Sequence, residues 1–275
     1  MGMLEWTSGD IQANGIRLHY YRTGGDKPPL VAAHGITDNG LCWSPLATRL
    51  AEEYDVIMVD ARGHGQSTVP ESGYAGAEHA ADHAAAIRGL GLDRPALIGH
   101  SMGAATAAQL AAENPGLVRC LILEDPPWRE AGSAGSPEER AASAQAWRED
   151  VVARQQLSRA EALAQGRQQR PMWSEAEFAP WVEAKFQVSP KVLDYVSAGV
   201  TPWPAVAPQL TCPVLLLIGE PELGGIVTPQ VAQQIGAANV RIQVVHIPGA
   251  GHNIRREQFE PYLAAVRRFL QATYA

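Results

Sequence analysis

In the stretch ALIGHSMGAATAAQLAAE, Ala96–Glu113, a serine stands between two glycines where a short apolar run gives way to a long alanine-rich one. Such a change reads as a strand turning abruptly into a helix, with Ser101 at the corner. A serine on so tight a turn takes strained backbone angles and holds its Oγ above the sheet edge. Gly99 and Gly103, two residues to either side, keep the neighbouring backbone from clashing. This is the G-x-S-x-G nucleophile elbow, and the chemistry it offers is attack of a serine oxygen on an acyl carbon. The same pattern arises by chance in a chain with 26 glycines. The strand before it and the helix after it favour the chemical reading.

Other elements must exist to carry that corner. DIQANGIRLHYYRTG places Asn14-Gly15 between two extended runs, a hairpin signal. Short apolar runs follow at Pro29–Gly35, Tyr54–Gly65, Pro95–Ser101, Val118–Asp125, Cys212–Glu220 and Val240–His252, with helical patterns in most of the gaps. Near-continuous apolar strands between helices imply a mainly parallel sheet covered on both faces, a doubly wound α/β fold.

One gap is too long for an ordinary crossover. Pro126–Thr211 holds helix-like segments, EERAASAQAWREDVVARQQ and SEAEFAPWVEAKFQ, broken by Pro171, Pro180, Pro190, Pro202 and Pro204. We expect a helical cap over residues 126–204, inserted after the sixth strand into a core made of residues 1–125 and 205–275. The gap contains Trp128, Trp147, Trp173, Trp181 and Trp203; packing of the cap onto the sheet accounts for most of them. Trp128, Trp173 and Trp203 are the candidates for an apolar pocket wall.

Composition excludes some classes. With 275 residues and 46% hydrophobic positions the chain can bury one large core and carry an insertion. A formal charge of −7 without a Lys/Arg block argues against nucleic acid and anionic membrane as partners. Met1–Asp10 has no basic region followed by an apolar core, so the expected location is cytoplasmic. Cys42, Cys120 and Cys212 are odd in number and far apart, which fits free thiols and no disulfide framework. His79 and His83, four apart, would share a helix face as a metal pair does, but no third ligand is evident, and neither metal nor cofactor is expected.

Four motifs in order, VAAHGITDNGLCW, VDARGHGQS, LIGHSMGAA and IPGAGHN, resemble the α/β-hydrolase superfamily over roughly Ile16–Asp125 and Cys212–Leu270. The resemblance makes Ser101 the nucleophile and His252, in a Gly-Ala-Gly-His loop after the last strand, its base. It also supplies the oxyanion donors, the backbone N–H groups of Ile36, after His34-Gly35, and of Met102. His34 and His100 would then support these loops, as would Arg62 and His64, while His34 and Gly35 lie where the pocket floor is expected.

The acid departs from the commonest family pattern. After the seventh strand the chain reads GEPELGGIVTP, a loop two residues long against relatives, in which one count reaches Glu222 and another reaches Gly224. Asp125, ending the strand after the nucleophile's, has the position that haloalkane dehalogenases and zearalenone lactonases use. Asp125 and Glu222 are thus the two main candidates, with Glu124 and Glu220 behind them.

A serine at the elbow argues against an alkyl-enzyme route and for acyl chemistry through an acyl-serine. The expected activity is hydrolysis of a small carboxylic ester or lactone. Carbon–carbon bond hydrolysis, perhydrolysis and acyl transfer use the same triad, and a ligand-binding protein without turnover is the alternative outside enzymes.

Overall fold

The structure, a computed structural model, describes residues 6–130, 132–133 and 135–274. Asn14 and Gly15, at φ of 48° and 79°, make the two-residue turn that pairs β1 (Thr7–Ala13) antiparallel with β2 (Ile16–Arg22). Turns with two positive φ values match the twist of the strands they join. β3 (Pro29–Ala33), β4 (Asp55–Val59), β5 (Ala96–His100), β6 (Cys120–Glu124), β7 (Val214–Ile218) and β8 (Ile242–His246) run parallel to one another. β2 joins them antiparallel to β4, giving the order β1-β2-β4-β3-β5-β6-β7-β8.

Successive residues of the central strands feed two cores. Val31, Ile57, Leu97, Leu121 and Leu216 belong to one, and Leu30, Met58, Ile98, Ile122 and Leu217 to the other. α2 (Gly76–Gly89), α3 (Met102–Glu113) and α9 (Pro229–Ala238) cover the first core; α1 (Ser44–Leu50), α10 (Ile254–Glu257) and α11 (Phe259–Tyr274) cover the second. Each such buried aliphatic side chain contributes roughly 1.5–3 kcal/mol, which is why the strands read as unbroken apolar runs. Because the strands are parallel, the carboxyl ends of β3, β5, β6, β7 and β8 share one edge of the sheet, the edge at which α/β folds place their ligands.

Between β6 and β7 lie α4 (Pro137–Gln155), α5 (Arg159–Gln169), α6 (Glu175–Gln187), α7 (Asp194–Ala198) and α8 (Trp203–Val206). Ser136 with Glu139, and Ser158 with Glu161, form capping boxes that start α4 and α5. Pro180 does not break its segment but lies inside α6. The one backbone bond it forfeits is offset by burial of Phe178, Trp181, Val182 and Ala184 on the same helix. α8 straddles the boundary expected at residue 204, and its Trp203 and Val206 pack into the first core of the sheet. β8 ends at His246, well before His252, so the histidine sits on a loop that turns through Gly249 at φ 74°. Among the described residues no helix is long and apolar enough to cross a membrane. The three cysteines are free: Cys42 and Cys120 are buried and Cys212 is half-buried.

Candidate active site

Ser101 joins β5 to α3 with φ 53° and ψ −116°, a region that costs a non-glycine residue about 1–3 kcal/mol. The flanking glycines are required by contact. A Cβ on Gly99 would stand 2.3 Å from the Gly103 carbonyl oxygen, and one on Gly103 would stand 2.1 Å from that of Ala33. The first turn of α3 therefore presses directly on the end of β3. The Ser101 N–H donates to the Glu124 carbonyl at 2.9 Å, which fastens the corner to β6.

Asp125 follows, fully buried, at φ 41°. Its Oδ1 accepts the Val227 N–H at 2.9 Å, its Oδ2 accepts the Ile226 N–H at 2.8 Å, and Oδ2 also lies 2.7 Å from His252 Nδ1. The carboxylate accepts in this contact, so Nδ1 carries the proton and Nε2 keeps a free lone pair. The His252 backbone is held as well, its carbonyl accepting from His100 Nε2 at 2.9 Å. The other three carboxylates go elsewhere. Glu124 takes the N–H and guanidinium of Arg255 at 3.0 and 3.1 Å, and Glu220 takes the Gly249 N–H at 3.0 Å. Glu222 is exposed on the short turn Pro221–Leu223. The long loop after β7 brings amide donors to Asp125 and no acid to His252.

Ser101 and His252 line one cavity of about 930 Å³ together with Ile36 and Met102. No hydrogen bond joins the two side chains here; catalytic contacts of this kind commonly tighten only when substrate binds. The Met102 N–H heads α3 and so lacks an intrahelical acceptor. The Ile36 N–H has no acceptor among the described residues. His64 Nε2 lies 2.6 Å from the Ile36 carbonyl. His34 Nδ1 lies 2.8 Å from the Gly35 carbonyl while its Nε2 accepts the Ala61 N–H at 3.0 Å. Burial, with His64 adding to it, holds His34 well below the usual imidazole range, so it is a neutral strut.

The remaining candidates separate. Trp128 lines the cavity, as does Trp147, which the sequence did not single out. Trp173 and Trp203 do not: Trp173 packs on Phe178 and Trp181, and the Trp203 indole donates to the Arg129 carbonyl at 3.2 Å. His34 and Gly35 are not among the residues that line the cavity. His79 and His83 are buried, His83 Nδ1 lying 3.0 Å from the His79 carbonyl, and among the described residues no three side chains are placed to hold a metal. Sequence reasoning singled out neither Tyr195 nor Ile226, and among the arginines from Arg129 to Arg170, any of which could clamp a carboxylate, it did not distinguish Arg140; all three residues are on the cavity wall. One arginine among the three on α4, Arg140, Arg148 and Arg154, gives no local signal of the side it faces.

Strand, elbow and histidine loop together are those of a hydrolase. The chain belongs to the alpha/beta hydrolase fold family, matched over residues 28–255. It is similar to the N-formylmaleamate deformylase of Pseudomonas putida, with 31% identity covering 95% of this chain and 96% of that one. It is also similar to the 2-(acetamidomethylene)succinate hydrolase of Mesorhizobium japonicum, at 30% identity over 91% of each. A crystal structure of an E-2-(acetamidomethylene)succinate hydrolase superposes with a TM-score of 0.80, at 27% identity, over 97% of this chain and all of that one.

Proposed function

We propose that this chain hydrolyses an acyl bond of a small carboxylate-bearing compound through an acyl-Ser101 intermediate, with a short N-acyl amide as the preferred substrate. The contact that carries the reading is Asp125 Oδ2 to His252 Nδ1 at 2.7 Å, beside the serine elbow. Ser101 Oγ attacks the acyl carbon as His252 Nε2 takes its proton, and the N–H groups of Ile36 and Met102 receive the oxyanion. Protonated His252 then gives that proton to the leaving nitrogen, the C–N bond breaks, and the acyl group stays on Ser101. Water, deprotonated by His252, attacks the acyl carbon; the Oγ–C bond then breaks as His252 returns the proton to Ser101 Oγ, and the acyl group leaves as the acid.

Two observations support amide over ester and charge over neutrality. Relatives matched along nearly the whole chain are named for removal of a formyl group and for hydrolysis of an acetamido compound. Arg140, on the cavity wall, has its guanidinium bonded to the carbonyls of Gly135 and Ser197 at 2.8 and 3.4 Å, with no carboxylate within 4 Å among the described residues. The two acids of the lining are differently engaged: Glu139 accepts the Ser136 N–H at 2.7 Å, and Glu130 is exposed. In this reading residues 126–204 form the cap that closes the cavity. Ester or lactone hydrolysis by the same residues is the second reading, favoured by Trp128 and Trp147 on the wall.

Matched N-formyl amides, N-acetyl amides and methyl esters of one carboxylic acid decide between them by kcat/KM. The amides should lead by tenfold or more; a tenfold lead for the esters would establish the second reading.

A further inference from the structure

Lys185 belongs to α6, outside the sheet, yet its ammonium is buried beneath the insertion. Nζ donates to the Thr37 carbonyl at 2.6 Å, to Thr37 Oγ1 at 2.8 Å and to Asp38 Oδ1 at 3.2 Å. All three of its protons are thus spent on two consecutive residues of the loop after β3, directly beyond Ile36. From the opposite side, His64 bonds the Ile36 carbonyl at 2.6 Å, and the Asp38 N–H closes a turn on the Gly35 carbonyl at 3.0 Å. The loop that presents the Ile36 N–H is gripped by the core on one side and by α6 on the other.

The grip is built from charges where apolar packing would have held the helix. Asp38 also pairs with Arg256 at 3.1 Å and with Arg255 at 3.5 Å, and Arg256 pairs with Glu177, again on α6, at 3.1 Å. Burying an ammonium carries a desolvation cost that its partners only offset, and well-packed apolar residues usually stabilise as much. What the ammonium supplies, and a methyl group cannot, is direction: bonds on a particular carbonyl and a particular carboxylate. An oxyanion donor is worth 10²–10³-fold in kcat when it stands 2.7–3.1 Å from the developing charge, and small misplacements lose much of that.

We propose that Lys185 is a positioning residue for the oxyanion hole: by holding Thr37 and Asp38 it aims the Ile36 N–H, so that the helical insertion completes the catalytic apparatus. The inference rests on the reading of Ser101 as nucleophile and of Ile36 as oxyanion donor.

The test uses p-nitrophenyl acetate turnover, normalised to active sites titrated with a serine-directed phosphonate. It adds the inhibition constant of a trifluoromethyl ketone, which adds to the serine and presents an oxyanion, and that of the matching unreactive alcohol. Lys185→Met should lower kcat by about 10–100-fold with KM within threefold. Ketone affinity should weaken in parallel while alcohol affinity stays put. Lys185→Gln, whose amide nitrogen falls about one bond length, ~1.5 Å, short of the place Nζ holds, should show the same split and serves if the methionine variant does not fold. A folded variant of either kind with kcat per site and ketone affinity within twofold of the parent overturns the proposal, whatever its melting temperature. Ser101→Ala separates the two levels: turnover surviving in it refutes the nucleophile reading, whereas an inactive Ser101→Ala beside parent-like Lys185 variants refutes the inference alone.

Discussion

Asp125 and His252 meet at 2.7 Å, through a carboxylate whose two oxygens are already held by consecutive amides, Ile226 and Val227. With both oxygens fixed, the imidazole on that carboxylate keeps one tautomer and one orientation. The rigidity comes from the loop after β7, while the charge comes from the end of β6.

Asp125→Asn should therefore lower kcat by roughly 10³–10⁴-fold with little change in KM, because the amide cannot impose the Nδ1–H tautomer. Glu222→Gln should stay near parent activity, since Glu222 is exposed on its turn. Steady-state kinetics on protein checked by circular dichroism measures both. A crippled Glu222→Gln beside an active Asp125→Asn would move the acid to the loop after β7.

Ser101→Ala should remove turnover without altering the fold, as alanine keeps the corner and lacks only the attacking oxygen. Activity within tenfold of the parent, once contaminating esterase is controlled for, would sink the mechanism.

What the sequence revealed and concealed follows from where the constraint lies. The elbow was legible because backbone contact dictates residue type: Gly99 and Gly103 face carbonyl oxygens where no Cβ fits. The hairpin at Asn14-Gly15 was legible for a like reason, positive φ at both positions. The choice between Asp125 and Glu222 was not, because counting along a loop does not say whether it delivers a side chain or its amides, and here it delivers amides. Trp173 and Trp203 misled as pocket candidates because short helices broken by prolines give no dependable face. The hold of Lys185 on Thr37 joins residues far apart in the chain, and nothing local at either end announces it.

Gly103→Ala tests the backbone argument. Its Cβ would stand 2.1 Å from the Ala33 carbonyl oxygen, and neither β3 nor α3 can yield without disturbing the sheet core. Stability should fall by about 1–3 kcal/mol or more, lowering the melting temperature by several degrees. An unchanged thermal transition would show that α3 is free to shift.

Acid stability should be governed by buried histidines. Burial holds His34, His79 and His100 well below the usual imidazole range, aided by His64 at the first two and by Arg255 at the third. Their folded values are depressed, so the stability they contribute is present above the unfolded value near 6.5 and is lost as pH falls below it. His64 and His83, also lowered by burial, act in the same sense, so stability should fall between pH 7.5 and 5.5. Glu124 and Asp60, raised by burial, act in the opposite sense but only as pH nears the carboxyl range. Urea midpoints at the two pH values measure the loss, and equal midpoints would show that the imidazoles protonate in place.

Arg140 is the sharpest test of substrate charge. Its guanidinium has main-chain partners only, among the described residues, and it stands on the wall of the cavity that holds Ser101. A substrate carboxylate meeting it would form a charge-assisted bond out of bulk water, where such bonds are worth about 1.5–3 kcal/mol. Arg140→Met keeps the length of the stem and deletes the donors. It should raise KM for an anionic amide or ester by roughly 10–100-fold while changing KM for the matched neutral methyl ester by less than threefold. Melting temperature must be followed alongside, because the bonds to Gly135 and Ser197 also brace the loop before α4 and the end of α7. Equal losses on charged and neutral substrates would assign Arg140 to that bracing and leave Arg129 as the cationic side chain on the cavity wall.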